Sequence, residues 1–469
     1  MSNLAAVVLA AGEGTRMKSA TPKVLHRIAG LELLGHVLST ANSLGAQKIV
    51  CVLRHEIEQI SNYVSAFYPN VEIAEQDAVP GTGRAVEAAL KQIQGFDGDV
   101  VVLSGDVPLL DVQSIAELVE LHRSKGNAGT LISTHLSDPT GYGRIVRDRG
   151  ELVGIVEQKD ASDEEREIQE VNAGVYIFDA QKLSNALSKV TTQNAQGEKY
   201  LTDVIGLLIA SGESVSAHQI QDHWLVAGIN DRVQLAEVGA ELNRRVVRAW
   251  QLAGVTITEP QSTWLDVTVS LARDVTLLPS VRLHGLTQVG EGSVIGPDST
   301  LTDATVGENV KLSRSDVTAA KIHSGASVGP FAFIRPGTEL GKDGKIGAFV
   351  ETKNASIGNG AKVPHLTYVG DATIGEGSNI GAGTIFANYD GINKHRTEVG
   401  AHVKTGSGNV FVAPVKIGSG AYTAAGSTIR RDVEPGALAL NPTPQKNLAG
   451  WVLENRPGSK SAQAATDTE

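Results

Sequence analysis

The sequence predicts an α/β fold in two parts: an open, mostly parallel sheet with helices on both faces, followed by a parallel β-helix built from hexapeptide repeats. Three observations predict it. Up to about residue 229, apolar strands alternate with helical patterns, as the layered part requires. From Val289 to Ile429 an aliphatic residue recurs every six positions, a period that fits neither an amphipathic helix nor an alternating strand. Aromatic residues make up only 4% of the 469 residues while Gly numbers 51, which suits a narrow coil interior filled by Val, Ile and Ala.

The first part opens with a strand at Leu4 to Leu9, a helix from Leu33 to Leu44 and a strand at Lys48 to Leu53. A helix near Glu56 to Ala66, a strand at Val71 to Glu75, a helix after the turn Pro80-Gly81-Thr82-Gly83 and a strand at Asp99 to Ser104 follow. Ligands of open α/β sheets gather outside the carboxyl ends of the strands, so the loops there are the ones to inspect. The first is Leu9-Ala10-Ala11-Gly12-Glu13-Gly14-Thr15-Arg16, with Lys23 shortly after. Its glycines let backbone amides approach a nucleotide, and Arg16 and Lys23 supply charge for phosphates. The spacing is neither that of a dinucleotide fingerprint nor that of a Walker A loop. At another strand end stands Asp106, which alone reads as a helix cap; beside a phosphate loop it reads as a ligand for Mg²⁺, a hard ion that also takes substrate phosphate oxygens.

Residues 230–252 show helical spacing with Arg244, Arg245 and Arg248 on the polar side, either a connecting arm between domains or a last helix packed on the first domain. The hexads then run through Val289, Ile295 and Leu301, through Val328, Ile334, Leu340 and Ile346, and through Val399 to Ile429, with five-residue slips after Leu301 and Val369. Glycine often follows the aliphatic residue, which suggests corners whose torsions bulkier residues avoid. Phe386 to His395 breaks the period, and insertions in a solenoid project outward and commonly carry binding residues. Near it Arg335, Glu351, Lys353 and His365 are unsuited to a coil interior. Histidine titrates near neutral pH and can take a proton from an ammonium, freeing an amine to attack a carbonyl. Arg335 and Lys353 suit a sugar phosphate, and amides near Ala382 an oxyanion. The array offers neither a cysteine nor a nucleophile elbow for an acyl-enzyme route. A prism of this kind also serves elsewhere as a plain oligomerisation post.

The formal net charge of -11 argues against general binding to nucleic acid or anionic membrane. Cys51, the single cysteine, lies in an apolar run and reads as a buried strand residue. The first apolar run is short and follows no basic segment, so a soluble cytoplasmic protein with no membrane insertion is expected.

The loop LAAGEGTRM with a following PK resembles the signature of sugar-1-phosphate nucleotidyltransferases. Together with PGTG, SGDVPL, DPTGYGRI, GIVEQKDA, EVNAGVY, EKYLTD, GIND, HLTYVGD, NIGAGT and NYDG, it makes residues 1 to about 450 similar to the bifunctional N-acetylglucosamine-1-phosphate uridylyltransferase/glucosamine-1-phosphate N-acetyltransferase family. That resemblance implies a Rossmann-like nucleotidyltransferase domain at 1–229, a linker helix at 230–252, a left-handed β-helix acetyltransferase domain at 253–437 and a C-terminal segment at 438–469. It implies acetyl transfer from acetyl-CoA to glucosamine 1-phosphate, then uridylyl transfer from UTP to N-acetylglucosamine 1-phosphate with release of pyrophosphate, feeding the bacterial cell envelope. By the same carry-over Leu9, Ala10, Ala11, Gly12, Arg16 and Lys23 hold the nucleotide, with Gln76, Gly81 and Thr82 on uracil. Asp106 and Asn230 hold Mg²⁺; Gly143, Glu157, Asn172 and Asn230 hold the sugar. In the second site His365 is the base, Arg335, Lys353, Tyr368 and Asn379 bind the sugar phosphate, and Ala382, Asn388, Tyr389, Ser407 and Ala425 face acetyl-CoA. Family β-helices form homotrimers with acetyl-transfer sites shared between chains. This chain departs at Ala439-Leu440-Asn441-Pro442, where some members carry a coenzyme-contacting arginine. Residues 457–469 are small and polar, and a disordered tail is expected there. Two other readings are a single-activity nucleotidyltransferase whose β-helix only oligomerises, and a regulatory subunit that has lost catalysis.

Overall fold

The computed structural model describes residues 3–441 and 444–466. It divides into two compact units, residues up to 270 with 279–287, and residues 271–278 with those from 288 onward.

In the first unit the strands are β1 (Leu4–Leu9), β2 (Lys48–Leu53), β3 (Glu72–Glu75), β4 (Asp99–Ser104), β5 (Gly129–His135), β6 (Arg144–Asp148), β7 (Glu151–Val156), β8 (Glu170–Asp179) and β9 (Val215–Ile220). The main sheet has the order β9-β5-β8-β4-β1-β2-β3. β1 runs parallel to β2 and β4, whereas β8 runs antiparallel to both β4 and β5, and the β6–β7 hairpin hangs from β8. Side chains alternate between the two faces of the sheet. Ala6, Val8 and Cys51 therefore pack in one core, while Ala5, Val7 and Val50 pack in the other. Burial pushes the Cys51 thiol up to about 12, so this cysteine is an inert core residue.

Helix α1 (Leu33–Ser43) covers one face, and α2 (Thr82–Gln92) begins at the Gly81 turn. Helix α3 (Arg232–Leu252) is capped by Asp231, whose carboxylate accepts from the amides of Val233 and Gln234. It packs on the first unit through Val238, which clusters with Ile28, Leu33, Leu109 and Ile229. The unit also takes in the first rungs of the coil. Asn243 of α3 is buried, donates to the carbonyl of Thr263 and accepts from the amide of Leu265.

The second unit is the β-helix. Ile295, Leu312, Val328, Ile346 and Val363 pair in one inward column, and Val317, Ile334, Thr352 and Val369 in the next. Ile322, Leu340, Ile357, Ile374, Val399 and Ile417 form the third. Three hexads therefore close one turn, and each parallel rung hands its backbone hydrogen bonds to the next.

The repeat glycines do a different job from the one expected. Only Gly296 and Gly329 of the series have positive φ; at Gly290 an added Cβ would lie 2.6 Å from the carbonyl carbon of Gly307, and at Gly358 it would lie 2.7 Å from the amide nitrogen of Glu376. They permit close stacking of coil on coil. The left-handed corners are taken by other glycines, among them Gly292, Gly325, Gly337, Gly360 and Gly377, and by non-glycine residues such as Asp298, Asn309, Arg314, Phe331, Phe349 and Leu366, the latter with φ between 43° and 59°.

Where the period breaks, Phe386 pairs with Phe411, 25 residues on, whereas Val328 pairs with Ile346, 18 on. The surplus forms the loop holding Asn388 to His395. Beyond the coil the expected disordered tail is replaced, in the described residues, by a short helix at Lys460–Thr466. Ser459 Oγ accepts from the amide of Ala462, whose side chain is buried, and the alanines there favour the helix. Pro442 lies outside the described residues.

Candidate functional site

The carboxyl ends of β1, β2 and β4 open onto a cleft of about 370 Å³. Leu9, Ala10, Ala11 and Gly12 line it, as do Lys23, Gln76, Gly81, Thr82 and Asp106. Arg16 lies outside the lining, exposed on the short turn Thr15–Met17. Gly81 has φ +114, and any Cβ there would collide with the backbone of Lys199. The Gln76 amide donates to the carbonyls of Val79 at 2.8 Å and Gly81 at 3.2 Å, which shapes the loop leading into α2. Arg54 and His55 also line the cleft and were missed in the sequence, although they stand immediately after β2, at a strand end.

Asp106 follows β4, and its carbonyl accepts from the amide of Ile229, so Asn230 is brought alongside it. The Lys23 ammonium touches both, pairing with Asp106 Oδ2 and donating to Asn230 Oδ1 at 3.3 Å. This is an all-oxygen donor set already in contact with one cation, which fits a hard divalent ion held by one carboxylate, an amide oxygen and substrate phosphates. Among the described residues no cluster of three or more His, Cys, Asp or Glu stands ready to hold a metal.

Gly143, Glu157 and Asn172 converge nearby. The Asn172 backbone N–H donates to the Gly143 carbonyl at 2.8 Å, and a Cβ on Gly143 would lie 3.1 Å from Ile155 and 3.6 Å from the Glu157 carboxyl carbon. A bulge in β8 between Asn172 and Tyr176, with Gly174 at φ +72, turns this stretch out of register. Burial raises the pKa of Glu157 against the opposing hydrogen bond from Thr202 Oγ1, and Asp203, Asp160 and Glu198 raise it further. Arg144 is buried behind them; it is bonded to the Tyr142 carbonyl and to Gln158 Oε1, and so ties the Gly143 loop to the Glu157 strand.

In the β-helix His365 is exposed at the end of the rung Lys362–His365, immediately before the left-handed corner at Leu366. The next face carries Tyr368, paired in register with Glu351, and Lys353, paired with Gly370. Arg335 donates to Glu351 Oε1 at 2.8 Å. Lys394, missed in the sequence, comes from the inserted loop and lies against Lys353. Its ammonium is the main cause that lowers the Lys353 pKa, with Arg335 adding to the effect. Cations crowded in this way favour an anion between them. Asp371 resists burial and keeps a lowered pKa because Asn354 and Asn388 donate to it, at 2.6 and 2.5 Å, with Lys394 and Lys353 close by. Tyr389 is exposed on the loop, its hydroxyl bonded to the Gly391 carbonyl. Asn379 sits on a different face, bridging Lys362 and Lys404, and does not join the Arg335 group within one chain. Ala382, Ser407 and Ala425 stack along one edge, since the amide of Gly408 donates to Ala382 and that of Gly426 to Ser407.

The nucleotidyl transferase family model matches residues 5–267, more than half of the chain. The bifunctional protein GlmU of Clavibacter sepedonicus is 56% identical over 467 residues, covering 99% of this chain and 95% of that protein. This chain belongs to the bifunctional GlmU family. The GlmU proteins of Leifsonia xyli subsp. xyli (56% over 465 residues, 99% and 96% covered) and Mycobacterium tuberculosis strain H37Ra (53% over 467 residues, 98% and 94% covered) agree along the same length. As a GlmU, the chain is a bifunctional transferase of UDP-N-acetylglucosamine synthesis, with uridylyltransferase and acetyltransferase activities. The single-activity reading is not favoured, because the likeness runs through the β-helix as fully as through the first domain. No helix among the described residues is long and apolar enough to cross a membrane.

Proposed function

We propose that the two activities occupy the two sites described, one per unit. In the first, backbone amides of Leu9 to Gly12 with Arg16 and Lys23 take the triphosphate of UTP, and Gln76, Gly81 and Thr82 take uracil. Asp106 and Asn230 hold Mg²⁺, which, when bound, offsets charge on the reacting phosphate and on departing pyrophosphate. Gly143, Glu157 and Asn172 orient N-acetylglucosamine 1-phosphate so that its phosphate oxygen attacks the α-phosphorus and pyrophosphate leaves. Asn230 also faces this sugar.

In the second site Arg335, Lys353, Tyr368 and Asn379 bind glucosamine 1-phosphate, with Lys394 added because its charge acts on Lys353. The His365 imidazole takes a proton from the sugar ammonium, and the freed amine attacks the thioester carbonyl of acetyl-CoA. Amides near Ala382 receive the oxyanion, and the coenzyme thiolate leaves as the amide forms. Asn388, Tyr389, Ser407 and Ala425 line the coenzyme side. Because Asn379 lies on another face from Arg335, a homotrimer with sites completed between chains suits this distribution. The compartment is the cytoplasm.

The observation carrying the acetyltransferase assignment is the exposed His365, next to a face on which cations meet. His365→Ala should lower acetyl-transfer kcat about 10²–10⁴-fold, the usual contribution of a general base, and leave uridylyl transfer intact. Equal loss of both activities in a folded variant would contradict separate sites.

A further inference from the structure

Lys23 stands where two requirements collide. Asp106 Oδ2 and Asn230 Oδ1 turn toward one position, and the Lys23 ammonium fills it. The contact is no loose surface pair, since the Lys23 and Asp106 side chains are 11% and 20% exposed. Its frame is fixed from both sides. The Ile229 backbone N–H donates to the Asp106 carbonyl at 3.0 Å, and the Asn230 backbone N–H to Gln234 Oε1 at 2.8 Å. On the other side Gly14 packs on the lysine stem, where a Cβ would come within 2.6 Å of Lys23 Cβ. Arg54, the other cation lining the cleft, is turned away to the carbonyl of Ala78 at 3.0 Å.

A divalent ion needs the same two oxygens at about 2.0–2.1 Å for Mg²⁺, and it cannot share that position with an ammonium. Lysine on a flexible four-carbon stem can swing to another anion without the loop moving. We propose that Lys23 is a built-in counter-ion: in the nucleotide-free enzyme its ammonium closes the divalent-cation position, and an arriving triphosphate draws it away and so opens Asp106 and Asn230 to the metal. This rests on the reading of Asp106 and Asn230 as the metal's ligands. The device keeps the Asp106 carboxylate compensated when no substrate is present, because a half-buried carboxylate left alone is costly. It also couples metal to nucleotide, since whatever attracts Lys23 strengthens metal binding, and the metal in turn strengthens nucleotide binding by the same factor.

The test is Mn²⁺ binding to full-length, nucleotide-free protein, read by the electron paramagnetic resonance signal of free Mn²⁺. Lys23→Met should bind Mn²⁺ about tenfold or more tighter than the unaltered chain, the change expected when a competing charge-assisted hydrogen bond is removed. A lysine with a merely structural role would leave the affinity unchanged or weaken it on replacement, and either result overturns the proposal. Lys23→Gln repeats the measurement with a polar stem should Lys23→Met melt early. Adding Asp106→Asn to Lys23→Met should abolish the gain. If Mn²⁺ still binds tightly without Asp106, the metal-ligand reading fails; if binding depends on Asp106 but not on Lys23, only the counter-ion proposal fails.

Discussion

Replacing Phe411 by alanine tests how the inserted coil supports the acetyl-transfer site. Phe386 and Phe411 are both fully buried and paired in register, with ring centroids 5.1 Å apart and planes at 84°. They fill the coil that carries the inserted loop, in an interior built mainly from aliphatic residues and threonines. Truncating a buried phenylalanine costs about 3–5 kcal/mol, of which the edge-to-face pair supplies about 0.5–1.5. In a solenoid each coil leans only on its neighbours, so the loss concentrates at the Asn388 to His395 loop. With a urea dependence of about 2 kcal/mol/M, the midpoint for losing acetyl transfer should fall by about 2 M. Uridylyl transfer, housed in the other unit, should keep its midpoint. Phe411→Leu should cost less, and the double replacement of Phe386 and Phe411 by leucine should show a coupling of about 0.5–1.5 kcal/mol. A Phe411→Ala midpoint within experimental error of the unaltered chain, or an equal fall in both activities, would refute the reasoning.

Lys394→Met should raise KM for glucosamine 1-phosphate about tenfold, as expected for losing one charge-assisted contact to phosphate, with kcat changed far less; a kcat effect alone would mean that Lys394 acts elsewhere. Asp106→Ala should remove metal-dependent pyrophosphate release while acetyl transfer persists, measured in the two half-reactions separately. Glu157→Gln addresses pH. Burial raises this carboxyl, so its contribution to stability is full below the unfolded glutamate value and is lost as pH rises through the folded one. The glutamine variant should therefore melt above the unaltered chain at pH 7.5, the difference shrinking by pH 4.5, while KM for N-acetylglucosamine 1-phosphate rises. A melting difference that does not vary with pH would count against a raised Glu157.

How much of this was legible depends on whether the determinant is local. Strands Leu4–Leu9, Lys48–Leu53 and Asp99–Ser104 keep the bounds read from their apolar runs, because four or five consecutive buried residues leave few alternatives. The loop from Leu9 to Gly12 and Asp106 were singled out because ligands gather at strand ends, and the fold brings them to one cleft. The same rule, applied to β2, would have found Arg54 and His55. The antiparallel course of β8 was not legible, since a run such as Val171 to Phe178 does not encode the direction of its neighbours. The glycines were misread for a related reason. Sequence shows that a side chain is missing, but whether torsion or a neighbouring coil forbids it depends on residues 17 or 18 positions away, as at Gly290 against Gly307 and Gly358 against Glu376.

Lys394 was overlooked because the inserted loop has no period to place it, and only the fold returns that loop to Lys353. The two sites share a common arrangement. In each, a repetitive scaffold fixes backbone positions to within a hydrogen bond, and the chemistry is carried where the repetition stops: at the ends of strands in the first unit, and at the one long coil in the second. Within such a scaffold the reactive cations need not be rigid. Lys23 has Asp106 and Asn230 to rest on, and Lys353 has a like-charged neighbour that an anion must separate or bridge. Both arrangements favour an incoming phosphate, the first by giving its ammonium a second partner and the second by relieving repulsion. On the proposed assignments, substrate binding in either unit is thereby tied to phosphate charge, that of the UTP triphosphate in the first and that of glucosamine 1-phosphate in the second.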